Sequence, residues 1–377
     1  VLPVVETSTT GPDVGNSSSS VTPFASLSEH DLSRARDLLV QAKRPVIVTG
    51  LGLEPERPYQ ALQALVEAAN APLITAPKAK GCLAADHPLF AGTIGLTMTD
   101  SAYEILDEAD CIVAVGFDVV ELVKPWQMTT PLIWVAPWTN EDPEIAAEIA
   151  FVGPMTPVLN HLSDGVFTPD ERWGTARVSA FRHQLSEETL PAPTSGRMRP
   201  QSVLDAVRSV ISRDTVVTTD VGSHKILSAL SWPAYTPNSY HVSNGLSAMG
   251  FGLLTAISAS LTLEQPTVCI TGDAGLSMVM GELALLKEHD LPVIVIVMND
   301  AALDLIRAKQ LRTAKPVFGT EFLNPDFSHI AAAFSIDHYQ VANEAECAKA
   351  AQAALDAGRP TIIEALIDPV SYPTTPK

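Results

Sequence analysis

Apolar positions along the chain fall in short runs separated by amphipathic stretches with a helical period. Pro45–Thr49, Ala71–Thr75, Cys111–Val115 and Leu132–Val135 read as strands, with too little alternation for a sheet wetted on one face. Asp31–Gln41, with Ser28 as N-cap, Tyr59–Ala69 and Asp100–Ala109 read as helices between them. The alternation lapses from about Ser163 to Pro200 and then restarts. Helix Pro200–Ile211 is followed by strand Thr215–Thr219, a glycine-rich loop and helix Gly252–Leu263. Then come strand Thr267–Thr271, helix Leu283–His289, strand Val293–Met298, helix Leu303–Gln310, helix Glu344–Ala357 and strand Thr361–Ala365. Strands alternating with helices of this length predict the α/β class, as two tandem doubly wound parallel-sheet domains. The expected boundaries are a linker over 1–28, a domain over 29–165, a second linker over 166–197 and a domain over 198–377.

Composition narrows the ligands. The 377 residues are 46% hydrophobic and 18% charged, enough to fill two cores and too apolar for a disordered chain. A formal charge of −19 repels nucleic acid backbones and anionic membranes, so neither is an expected partner. An anionic ligand would need backbone amides or a bound cation. Four scattered cysteines, Cys82, Cys111, Cys269 and Cys347, show no CxxC spacing and suit a cytoplasmic protein with reduced thiols. The uncharged stretch Val242–Leu263 is broken by Gly and Asn and reads as a loop entering a buried helix. Val1 opens a Ser-, Thr-, Gly- and Pro-rich stretch, so a fragment, a processed product or one subunit of a split enzyme is expected.

The chemistry concentrates in the second domain, at strand ends. Thr267–Thr271 runs into Gly272-Asp273-Ala274-Gly275, and Val293–Met298 into Asn299-Asp300-Ala301-Ala302. One strand–helix–strand unit separates Asp273 from Asp300, so both fall at carboxyl ends of parallel strands and can converge on one ion. Two carboxylates with a backbone carbonyl suit a hard cation, Mg²⁺ or Ca²⁺, whose other positions take water and phosphate oxygens. Thr215–Thr219 ends in Asp220-Val221-Gly222-Ser223-His224, adding amide and hydroxyl donors. The loop Ser243–Gly252 places Met249 among small residues, a shelf for a flat ring.

These segments resemble the thiamine diphosphate (ThDP) fingerprint, which begins Gly-Asp-Gly and ends in Asn-Asn. They are similar to the acetolactate synthase / pyruvate oxidase / benzoylformate decarboxylase superfamily over nearly the whole chain after residue 28. The resemblance implies a central Rossmann-like domain over 29–165 and a diphosphate-binding domain over 198–377. It implies Mg²⁺ on the side chains of Asp273 and Asp300 and the carbonyl of Ala302. Gly222, Ser223, His224, Gly272, Ala274 and Gly275 would line the diphosphate. The Ser247 carbonyl would accept from the aminopyrimidine, and Met249 would wedge under the cofactor. Asp300 stands where the family carries Asn, with Asn299 just before it, and Ala274 stands where it carries Gly. The family's pyrimidine-binding domain, with the Glu that serves the aminopyrimidine N1′, finds no room before the linker, so a missing N-terminal segment or a separate subunit would supply it.

The implied activity is decarboxylation or carboligation of 2-oxo acids, acetolactate synthase-like, in a homodimer or tetramer. The alternatives are a simple 2-oxo acid decarboxylase, a CoA-ester lyase, or a catalytically incomplete or regulatory subunit supplying only the diphosphate half-site. Some relatives hold FAD in the central domain, but Val115–Glu121 lacks the Arg that those carry, which disfavours FAD here. His87, His161, His183 and His338 show no ligand spacing.

Overall fold

The computed structural model describes residues 27–142, 145–187, 192–193 and 196–372. Residues 1–26 of the first expected linker lie outside that range, as does part of the second. The first sheet comprises β1 (Pro45–Thr49), β2 (Leu73–Thr75), β3 (Phe90–Thr93), β4 (Cys111–Val115), β5 (Leu132–Ala136) and β6 (Ile149–Val152). Its order is β3-β2-β1-β4-β5-β6, and each neighbouring pair is parallel. Around it lie α1 (Glu29–Gln41), α2 (Tyr59–Ala68), α3 (Tyr103–Asp107), α4 (Met155–Ser163) and α5 (Thr175–Glu187).

The second sheet comprises β7 (Val216–Thr219), β8 (Tyr240–Val242), β9 (Thr267–Gly272), β10 (Val293–Asn299), β11 (Asp337–Val341) and β12 (Thr361–Leu366). Its order is β11-β12-β10-β9-β7-β8, again parallel throughout. The accompanying helices are α6 (Pro200–Arg208), α7 (Ser223–Ser231), α8 (Phe251–Leu263), α9 (Asp273–Val279) and α10 (Leu283–Glu288). They continue with α11 (Asp304–Arg312), α12 (Phe327–Ala333) and α13 (Glu344–Ala357).

The strand period of two explains why each sheet needs helices on both faces. On β10, Ile294, Ile296 and Met298 enter one buried cluster while Val293, Val295 and Val297 enter another. On β1, Ile47 faces one core and Val46 and Val48 the other. No described helix is long and apolar enough to cross a membrane, and Val242–Leu263 resolves into the end of β8, a loop and α8. The second expected linker needs correction. Residues 175–187 form α5, whose Val178 and Phe181 are buried in the first domain's core, while the Trp173 indole N–H donates to the Pro45 carbonyl at 2.9 Å.

The two domains are joined by a buried cation. Lys80, after β2, donates from Nζ to the Ala229 carbonyl of α7 at 2.8 Å and lies 5.4 Å from the Tyr240 ring centroid. That carbonyl would otherwise find the backbone nitrogen of Pro233, which has no hydrogen. Lys80 therefore caps α7 from the neighbouring domain, the favourable end for a positive charge. Burial pushes its ammonium down to about 7. A lysine depressed on folding binds fewer protons in the folded than in the unfolded state, so its contribution to stability rises with pH from about 7 towards 10.5. Lys80→Met should lack this slope, and the stability of wild type relative to the variant should rise by up to about 1.4 kcal/mol per pH unit in that window. Denaturant unfolding of both proteins across the window checks it.

Candidate functional site

The chain runs from β7 to β8 on one side of the sheet and returns to β9 on the other. The reversal leaves a crevice at the carboxyl ends of β7 and β9, where open α/β sheets take ligands. Asp220 follows β7 there and is fully buried. Its carboxylate accepts the Gly250 N–H at 2.8 and 3.0 Å and the Thr271 hydroxyl at 3.1 Å. This ties the start of α8 and the end of β9 to β7. A Cβ on Gly275 would overlap Asp220 Oδ2, so this position admits only glycine.

One cleft brings together Gly222, Ser223, His224, Met249, Gly272, Asp273, Ala274, Gly275, Asp300 and Ala302. Ser247 lies outside this lining, its hydroxyl accepting from Lys225 Nζ at 2.9 Å. Asp273 begins α9 and is held from three sides. Its Oδ1 accepts the Ala274 N–H at 2.7 Å, and its Oδ2 accepts the Ala301 N–H and Asn324 Nδ2, both at 2.8 Å. Burial pushes its pKa up, and these three donors partly offset the rise. Asp300 Oδ1 accepts the Ala302 N–H at 3.1 Å. Its carboxyl is pushed up to about 8 by burial and then by the neighbouring Asp273 and Asp304 charges. Buried carboxyls that repel one another are relieved by a cation between them.

The Asn299 side chain is committed elsewhere. Its Nδ2 donates to Glu364 Oε1 at 2.6 Å and its Oδ1 accepts from Asn324 at 2.8 Å. Asn324 thus links it to Asp273. The α7 N-terminus, with Gly222, Ser223 and His224, lines the cleft, and a helix start is the favourable end for an anion. His224 is buried with Nε2 unpartnered, and desolvation drives its pKa down to about 4, so the imidazole is neutral at pH 7.

Four residues of the site went unassigned in the sequence. Asp304 accepts the Ser223 hydroxyl at 2.7 Å and pairs with Arg307 at 3.0 Å. Tyr372 lines the cleft, its phenol pushed well above the ordinary range by burial and by Asp300, Asp304 and Asp273. Asn324 comes from a loop with no motif. Asp220 alone carried a usable signal, since it follows its strand as Asp273 follows β9.

A family model for the thiamine pyrophosphate enzyme central domain matches residues 32–162, and one for the thiamine pyrophosphate enzyme C-terminal TPP binding domain matches residues 220–365. The chain belongs to the thiamine diphosphate enzyme superfamily. The probable acetolactate synthase large subunit of Methanococcus aeolicus is 26% identical over 370 residues, 90% of this chain and 61% of that protein. The acetolactate synthase isozyme 1 large subunit of Escherichia coli (strain K12) is 30% identical over 367 residues, 93% and 63% of the two chains. The isozyme 3 large subunit of the same strain is 29% identical over 328 residues, 84% and 57%. The chain spans about three fifths of the length of these curated relatives.

The cleft of this thiamine diphosphate enzyme fits a diphosphate held through a metal. No group of three or more His, Cys, Asp and Glu side chains that could hold a metal occurs among the described residues. What lines the cleft is Asp273, Asp300 and Ala302, residues that could offer a hard oxygen set, beside an unpartnered buried imidazole and a helix N-terminus. Removing the Asp220 carboxylate would orphan the Gly250 amide and leave the Thr271 hydroxyl only the Gly272 carbonyl at 3.2 Å. Asp220→Ala is expected to cost about 2–5 kcal/mol in urea unfolding.

Proposed function

We propose that the protein is a ThDP- and Mg²⁺-dependent enzyme acting on 2-oxo acids, an acetolactate synthase-like carboligase or decarboxylase. In this reading the chain supplies the diphosphate and metal half of the active site. The observation that carries it is the convergence of Asp273 and Asp300, from adjacent strands, with the α7 N-terminus in one cleft. Asp273, Asp300 and the Ala302 carbonyl hold the cation. Asn324 and the Ala274 and Ala301 amides fix the Asp273 carboxylate for that task. Gly222, Ser223, His224, Gly272, Ala274 and Gly275 hold the diphosphate, with His224 as a neutral partner. Met249, half-buried on the cleft wall, supports the cofactor rings, and the Ser247 carbonyl accepts from the aminopyrimidine. The bound cofactor supplies the nucleophilic carbon that adds to a 2-oxo group and the electron sink for loss of CO₂.

The two matched units correspond to the central and C-terminal models. The pyrimidine-binding half, with its N1′ carboxylate, is accordingly assigned to a further segment of the same protein or to a partner. Leu323, on a second hollow flanked by Ala274 and Leu303, is 99% exposed, as is Leu246 in the Met249 loop; both support a protein surface seated over the cleft in a homodimer or tetramer. A cytoplasmic setting belongs to the same reading and is supported by four free, buried cysteines.

Calorimetry of ThDP with Mg²⁺, on the chain alone and with a pyrimidine-domain partner, tests the proposal. Saturable binding in at least the second case is expected, together with product from pyruvate. No saturable heat in either case would sink it. Asp273→Ala is expected to weaken Mg²⁺-dependent binding by more than about 100-fold, and Asn324→Ala, which removes an outer donor, by about 10-fold. Equal weakening by both variants would contradict the assignment of Asp273 as the ligand.

A further inference from the structure

The first sheet has its own reversal point. The chain leaves β1 towards β2 and β3 and returns to β4 on the other side, which opens the nucleotide position of a doubly wound sheet between the carboxyl ends of β1 and β4. A dinucleotide held there needs free amides in the loop after β1, close backbone approach and a helix N-terminus for its pyrophosphate.

None of these is on offer. Every N–H of the loop Gly50-Leu51-Gly52 is committed. Gly50 donates to the Val115 carbonyl at 3.4 Å, Gly52 to the Gly116 carbonyl at 2.7 Å, and Leu51 to Glu121 Oε2 at 2.7 Å. The space that two glycines would leave is also filled. A Cβ on Gly50 would lie 2.5 Å from Glu121 Oε2, and one on Gly52 would overlap the Trp138 ring. The loop continues as one 3-10 turn, Leu51–Leu53, and α2 begins only at Tyr59. Glu121 is 3% exposed, and its Oε1 has no partner. An arriving pyrophosphate would meet this carboxylate, with Asp118 capping the same turn and Lys78 the cation already beside Glu121, in a segment without arginine.

We infer that the central domain carries no dinucleotide, because Glu121 stands in for a ligand phosphate on the Leu51 amide and, with Trp138, closes the crevice from within. FAD, the second cofactor some members of the superfamily use, does not fit the residues present. The closure also has a use. The Glu121 carbonyl accepts Asn244 Nδ2 at 3.2 Å, so the closed crevice braces the loop that carries Ser247 and Met249.

The test is titration of the full chain with ADP and with FAD, followed by calorimetry and flavin fluorescence. Wild type is expected to show no saturable binding up to about 1 mM. Glu121→Ala combined with Trp138→Ala frees the amide and the space, and should bind ADP at least about tenfold more tightly than wild type. Stoichiometric ADP or FAD binding by wild type at micromolar concentration overturns the inference. So does a double variant, folded by circular dichroism, that gains no affinity. Should the pair fail to fold, Glu121→Ser is read in the same way, and the wild-type titration decides by itself whether the crevice is closed. The titration omits ThDP and Mg²⁺ and is repeated on Asp273→Ala, so ADP held by the diphosphate cleft of the second domain is told apart from a nucleotide in the central domain. The outcome is thereby separable from that of the cofactor reading.

Discussion

The carboxylate of Asp220 sits fully buried where β7 ends, and the geometry of the cleft follows from satisfying it. A buried carboxyl at such a position is tolerated only when donors surround it. The donors are the Gly250 amide and the Thr271 hydroxyl, one from the start of α8 and one from the end of β9. Meeting that demand draws both elements against β7, forces glycine at 275 and brings Asp273 to the mouth of the crevice. The residues that would touch a ligand are thus placed by one that does not.

Acidity is the second constraint. Asp273, Asp300 and Asp304 crowd one cleft of a protein already carrying a formal charge of −19. Asp304 is answered by Ser223 and Arg307 and Asp273 by three donors, while the Asp300 carboxyl is pushed up to about 8 by burial and its acidic neighbours. A divalent cation removes this repulsion and supplies the counter-charge a diphosphate needs. Under the proposed function, Asp at 300, where the resembling motif carries Asn, would add one negative charge for that cation to balance.

Much of this was legible because parallel sheets write apolar runs into the chain and ligands gather where those runs stop. β1, β4, β9, β10 and β12 could be placed within a residue or two, and Asp273 and Asp300 with them. Short edge strands such as β3 (FAGT) and β11 (DHYQV) bury too little to show a run. α5 was read as linker because only Val178 and Phe181 enter the core from an otherwise polar helix. Asn324 and Tyr372 reach the cleft from loops whose course only tertiary packing decides. Ser247 was readable solely through resemblance and Met249 only as the one bulky apolar residue among small ones, since a glycine-rich loop has no period to interpret.

The two sheets share an architecture and differ in what occupies the reversal point. In the second, the carboxylates at the strand ends face a cleft. In the first, Glu121 is turned inward onto the amide that a phosphate would take, at the expense of an oxygen left unpartnered and a carboxyl pushed up to about 7, chiefly by burial. A buried orphan oxygen is a local cost that persists only where neighbouring structure fixes it. Here Trp138 packs on the adjacent glycine, and Asn244 of the other domain binds the Glu121 backbone. Asn244 also lies 3.5 Å from Lys225, whose ammonium holds Ser247. The closed crevice of one domain is thereby joined, through four named residues, to the loop that shapes the open cleft of the other. The reversal point that stays open in one sheet is, in the other, filled by side chains whose backbone holds the neighbouring site's loop.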